Sequence, residues 1–169
     1  MIVFCNSGPL MALSKIGALD ILFRLFGQVR IPTTVYREVV IEGEKQGYLD
    51  ARVIEMAIRQ KQLIVEDVAL DDLPFEIISL DLGEKEAIYL GTKEPDSLVL
   101  LDDLKAREEA KRLGLTVKGT LGVLIQAYRE NLISFSEVNA FLEAIVAHED
   151  IWISAALCRE VLKRIEIEH

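Results

Sequence analysis

Short runs of consecutive apolar residues alternate along this chain with longer stretches in which apolar positions recur every three or four residues. Ile2-Val3-Phe4-Cys5, broken by Asn6-Ser7-Gly8-Pro9, reads as a buried strand running into a helix, with Pro9 near its first turn. Gly17 stops that helix, and a second amphipathic helix over 19–26 closes at Gly27. Val29-Arg30-Ile31-Pro32 is a short strand; Thr33 or Thr34 caps a helix over 35–41, Gly43 and Gly47 mark a turn, and 49–60 is helical. Leu63-Ile64-Val65 is a brief strand. The stretch 69–82 is broken by Pro74, with an extended segment over 76–79. A helix over 83–93 leads to the clearest buried strand, Ser97-Leu98-Val99-Leu100-Leu101, which ends at Asp102-Asp103. A helix over 104–113, a strand Leu115-Thr116-Val117 and helices over 121–130, 135–146 and 155–164 complete the chain.

Strands alternating with helices predict an α/β fold of three layers, α/β/α, with a mostly parallel central sheet. The pattern shows no repeat and no linker, so residues 1–169 read as a single domain, with about 134–169 as helical C-terminal decoration. Half of the chain, 51%, is hydrophobic, enough for a packed interior and too much for a disordered segment. No apolar run approaches the roughly 20 residues that cross a bilayer, so no membrane is expected. The first residues lack a basic n-region, which predicts a cytoplasmic protein.

Charge narrows the chemistry. A net charge of −9 argues against broad binding to phosphate backbones, which takes many Lys and Arg. It leaves room for a small catalytic centre whose positive charge comes from a metal ion. Two cysteines without metal-ligand spacing and two histidines do not build a soft-metal centre, so any ion would sit on carboxylates, which suit Mg²⁺ or Mn²⁺.

Parallel sheets present their reactive edge at the carboxyl ends of the strands. Asn6 follows the first strand, Asp102 and Asp103 follow the strand ending at Leu101, and Thr120 follows the last. Glu84 and Glu86 lie in the first turn of a helix, and Glu38 on the helix after Pro32. Each also has a plain structural reading: Asp103 and Thr120 as caps, Glu84 and Glu86 as complements of a helix dipole, Glu38 as a solvated surface charge, Asn6 as a turn residue. Lys105, Arg107, Lys111 and Arg112 would touch phosphates or form a solvated face paired with Glu108 and Glu109. Trp152 reads as packing for the C-terminal helices or an anchor for a dimer.

Five blocks in order carry a resemblance: Asn6-Ser7-Gly8-Pro9-Leu10-Met11-Ala12-Leu13, Ile31-Pro32 with Val35-Tyr36-Arg37-Glu38-Val39, Leu82-Gly83-Glu84-Lys85-Glu86-Ala87-Ile88, Leu100-Leu101-Asp102-Asp103-Leu104-Lys105-Ala106-Arg107, and Lys118-Gly119-Thr120-Leu121-Gly122-Val123-Leu124. Over nearly its whole length the chain resembles the PIN-domain family, closest to a VapC-related prokaryotic branch of predicted nucleic-acid-binding proteins. The resemblance implies a Mg²⁺- or Mn²⁺-dependent ribonuclease, with Asn6, Glu38, Glu86 and Asp103 at the metal positions. Asp102 would join the catalytic acids, and Ser7 and Thr120 would be further site positions. It implies RNA as substrate, a basic antitoxin-like protein as partner, and a homodimer. The family's first acid is Asn6 here, and a hydroxyl position beside it is Gly8. The alternative is therefore a catalytically impaired PIN-like module that binds RNA or a protein partner. A phosphoryl-transfer or phosphatase domain is a third reading, disfavoured because its nucleophilic aspartate would stand where Asn6 does.

Overall fold

A computed structural model describes residues 1–73 and 79–168. Pro74, most of the segment expected to be extended over 76–79, and His169 lie outside the described residues.

Five strands form one sheet: β1 (Ile2–Cys5), β2 (Val29–Pro32), β3 (Leu63–Glu66), β4 (Ser97–Leu100) and β5 (Thr116–Lys118). Their order is β3-β2-β1-β4-β5 and every pairing is parallel. Cys5 stands beside Leu100, which brings the carboxyl ends of β1 and β4 together. The order reverses at β1, and such a switch point opens a crevice over the strand ends.

Side chains in β4 alternate between two cores. Leu98 and Leu100 join the larger one, with Val3, Cys5, Leu10, Leu13, Val123 and Leu124. Val99 and Leu101 join the smaller, with Ala87, Ile88, Ala106 and Ala110. The sheet is thus covered on both faces, which is why β4 reads as an unbroken apolar run. The three-layer α/β/α fold with a parallel sheet is the observed one.

The helices are α1 (Ser7–Lys15), α2 (Leu19–Phe26), α3 (Thr33–Tyr36), α4 (Gly43–Lys45), α5 (Leu49–Arg59), α6 (Leu82–Lys93), α7 (Leu104–Arg112), α8 (Thr120–Arg129), α9 (Phe135–Ala147) and α10 (Ala155–Glu168). A π-helical stretch, Arg37–Glu42, joins α3 to α4. Gly43 is therefore helical and not a turn: it lies where a Cβ would come 3.0 Å from the Ala51 Cβ, and only Gly47, with φ +76°, makes the bend. Thr33 and Thr34 lie inside α3, whose N-cap is Pro32. The last strand sits one residue later than the apolar pattern suggests, because the Leu115 N–H closes α7 on the Ala110 carbonyl at 3.0 Å. Val138, Leu142, Ile145, Cys158, Val161 and Ile165 of α9 and α10 belong to the larger core. Among the described residues no helix is long and apolar enough to cross a membrane.

Candidate active site

Helices in a parallel α/β fold run back against the strands, so the first turn of α6 stands at the same edge as the ends of β1 and β4. A cleft of about 440 Å³ opens there, lined among others by Asn6, Ser7, Glu38, Glu84, Asp102 and Asp103. Asp81, Gly8, Gly83, Leu104 and Trp152 complete its wall. Residues spread over nearly 150 positions of sequence meet because the ends of β1 and β4, the stretch carrying Glu38, the start of α6 and the segment before α10 converge there.

Asn6 is the residue before α1, yet its side chain does not cap that helix. It is buried, 7% exposed, and turns toward α6. A Cβ on Gly83 would lie 3.2 Å from Asn6 Oδ1 and 3.4 Å from Glu38 Oε1, so the missing side chain at 83 is what lets both residues approach α6. Glu38 comes from the π-helical stretch, a local widening often found at functional sites. Burial pushes its carboxyl above the ordinary range; a hydrogen bond from Ser7 opposes this, and the charges of Asp81 and Glu86 add to it.

The two consecutive aspartates divide the work. Asp103 is the N-cap of α7, its Oδ1 accepting the Ala106 N–H at 2.9 Å. Asp102 turns inward. Its Oδ1 accepts the Thr120 N–H at 2.7 Å and its Oδ2 the Thr120 hydroxyl at 2.6 Å. Burial raises its carboxyl, while the two Thr120 bonds and the charge of Arg107 pull it back. Thr120 is fully buried and begins α8; its hydroxyl does not cap the helix but fixes Asp102. Arg107 is thereby drawn to the acid, and Arg112 pairs with Glu109, so the basic run on α7 is partly engaged within the protein.

Glu86 takes a different position. It is 4% exposed, and its Oε2 is the one buried side-chain polar atom among the described residues with no hydrogen-bond partner. It does not line the cleft but lies close enough to act on Glu38. Glu84 and Trp152 also line the cleft, though neither belongs to the set that the resemblance implies. Glu84 accepts the Asp81 N–H at 3.1 Å, and burial raises its carboxyl, opposed by that bond and reinforced by Asp103, Asp81 and Glu38. The spacing Asp81-x-x-Glu84 was the available signal, but it also describes an ordinary helix cap. Trp152 does not pack the C-terminal helices; it stands at the cleft rim, 95% exposed.

A divalent ion can be tested against this donor set. All the donors are oxygens, which suits Mg²⁺ or Mn²⁺. An unpartnered buried carboxylate oxygen and three carboxyls held above their ordinary range are what a bound cation would compensate. The residues therefore fit such an ion in kind. In placement they are looser: among the described residues no three His, Cys, Asp or Glu side chains form a group that would hold a metal as they stand.

The raised acids give a signed pH dependence. Between the ordinary carboxyl range and the raised value of Glu84, the folded protein holds more protons than the unfolded chain, so this residue's contribution falls as pH rises through that window. Glu84→Gln keeps the acceptor for Asp81 and removes the charge. We expect its Tm to match wild type below about pH 4, where the free carboxyl is also protonated, and to exceed it by a few degrees at pH 7 in metal-free buffer. Equal Tm values across the range, measured by calorimetry, would remove Glu84 from the group of strained acids.

An α/β/α domain with its acidic residues gathered at the switch point of a parallel sheet is the class that fold and cleft define. Within that class, a family model described as a PIN domain matches residues 2–167, and the chain belongs to the PIN-domain family. Membership places it, in general terms, among nucleases and nucleic-acid-binding proteins, a class that generally uses divalent metals. No curated protein and no solved structure matches the chain.

Proposed function

We propose that this PIN domain is a ribonuclease dependent on Mg²⁺ or Mn²⁺, working at the cleft over β1 and β4. The observation that carries the reading is the convergence of Asn6, Glu38, Asp102 and Asp103 on one cleft, with the unpartnered Oε2 of Glu86 behind it. In this reading Glu38, Glu86 and Asp103 are anionic ligands, Asn6 is a neutral one, and Asp102 is a further catalytic acid. The bound ion would polarise the phosphodiester and lower the pKa of water. The chain's own residues do the positioning. Thr120 locks the rotamer of Asp102, Ser7 orients Glu38, and the raised Glu38 carboxyl is suited to exchange a proton with water in the cleft. RNA is the substrate, and the chain acts in the cytoplasm as one PIN-like unit, residues 134–169 forming helical decoration. A basic antitoxin-like protein suits its net charge of −9, and a homodimer is the assembly.

A second reading, a PIN-like module that binds without cutting, is favoured by the neutral Asn6 and by the lack of a converged metal group among the described residues. Calorimetric titration with Mn²⁺ at neutral pH, followed by RNA cleavage, separates the two. Sub-millimolar binding and Mn²⁺-dependent cleavage are expected; RNA binding that persists in EDTA without cleavage would favour the module. Asp103 is the informative variant. Asp103→Asn keeps the cap and Asp103→Ala loses it, costing ~1 kcal/mol. Both should weaken Mn²⁺ binding at least tenfold, whereas full retention by Asp103→Asn would reduce Asp103 to a helix cap.

A further inference from the structure

Trp152 is the only tryptophan of the chain and its most exposed large apolar side chain among the described residues. Its neighbours are anchored: Ile151 is buried and Ile153 packs on the larger core. The backbone is therefore fixed while the indole is held out in solvent, as a display and not as a loose end. Beyond the acidic cleft, Trp152 borders a second cleft of about 310 Å³, and the two share Glu38. Tyr48 forms part of that second wall, one side of its ring covered by the Lys15 ammonium at 5.7 Å. Lys15 in turn lies 3.9 Å from Asp150, two residues before the tryptophan.

Charge decides what such a cleft accepts. Lys15 is the only cation among its described lining residues, against Glu38, Glu42, Asp50 and Asp150. A phosphate would be repelled; a flat, neutral ring would not. Aromatic side chains bind unpaired bases through their faces with little regard to sequence. We propose that Trp152 stacks an unpaired nucleobase of single-stranded RNA in this second cleft, positioning the adjoining phosphodiester at the acids across Glu38. The inference rests on the proposed ribonuclease reading for its substrate, and it makes Trp152 a positioning residue and not a catalytic one. Duplexes, whose bases are already stacked, are excluded. Affinity then comes mainly from stacking, so its salt dependence should be shallow, equivalent to about one or two neutralised phosphates.

The test is a titration of the full chain with a ten-nucleotide oligoadenylate, its DNA counterpart and a duplex of equal length. Each is run with Ca²⁺ and again with EDTA. Trp152 fluorescence and the anisotropy of end-labelled strands are read together. The single strands should quench the fluorescence and the duplex should not; quenching by RNA and DNA alike would locate the contact on the base and not the sugar. Trp152→Ala should weaken single-strand binding about tenfold, the usual scale for one stacked base, with Tm unchanged, and Trp152→Phe should restore most of it. Binding without quenching, equal affinity of Trp152→Ala, or no single-strand binding in either buffer would overturn the proposal. So would a change of oligomeric state in Trp152→Ala, by light scattering, with RNA binding intact, because the indole would then be a protein contact. The nuclease reading fails separately: quenching in EDTA with no Mn²⁺ binding and no cleavage would sink the metal centre and leave the base subsite standing.

Discussion

Asn6→Asp is expected to tighten Mn²⁺ binding by about 10- to 100-fold, the scale on which ligand-shell changes commonly act, and to raise Mn²⁺-dependent RNA cleavage by a comparable factor. The side chain is nearly isosteric, so the gain comes from charge. Asn6 is buried against α6, beside Glu38 and under the α6 acids, at the end of a strand that cannot move without disturbing β4. A neutral carbonyl there contributes an acceptor to a cation but no attraction over distance. The same substitution should have the opposite effect without metal. The cleft already holds Glu38, Glu84 and Asp102 above their ordinary range, and a further carboxylate adds to that repulsion. Metal-free Asn6→Asp should therefore melt several degrees below wild type at pH 7, and saturating Mn²⁺ should reverse the order. Calorimetric titration together with Tm measurements with and without Mn²⁺ checks both signs. A variant that neither binds more tightly nor loses stability when metal-free would show that position 6 does not share a field with the acids.

Glu86→Gln should move the other way. A buried carboxylate oxygen without a partner is among the costlier groups a small domain can carry, and Gln keeps the shape while removing the charge. Metal-free stability at neutral pH should rise by on the order of 1 kcal/mol, because Gln leaves a polar atom in the same place but removes the charge that burial and the neighbouring Glu38 oppose, seen as a higher urea midpoint at unchanged slope. Stabilisation by Mn²⁺ should fall to less than half of the wild-type increment. A protein that retains a destabilising acid at such a position gives up stability for function. If Glu86→Gln instead destabilises the metal-free protein and leaves the Mn²⁺ increment intact, Glu86 is a structural acid.

The sequence carried the layered architecture in some detail. Its strands are short, apolar and separated by amphipathic stretches; the first four begin where the pattern places them, because burial on both faces of a parallel sheet leaves unbroken apolar runs such as Leu98–Leu100. The capping residue Asp103 was equally legible, since an N-cap is a local bond between a side chain and the N–H three residues on. Local conformation was harder where packing overrides it. Gly43, a turn residue by propensity, sits in a helix, where a Cβ would come 3.0 Å from that of Ala51. Thr120, a cap by position, gives its hydroxyl to Asp102 from 18 residues away, which no local rule supplies.

Period and turn chemistry determined, from the sequence by itself, a parallel α/β domain with acids near the strand ends, and the resemblance of the five blocks implied the PIN family. Only the tertiary structure decided how those acids differ. It turned Asp102 inward and Asp103 to its helix, buried the Oε2 of Glu86 without a partner, and brought Glu84 and Trp152 to the same cleft. The reason is physical. Strand and helix periods act between near neighbours in sequence and are written there, whereas desolvation, mutual repulsion and exposure are set by whatever residues the fold places alongside, and these come from distant parts of the chain.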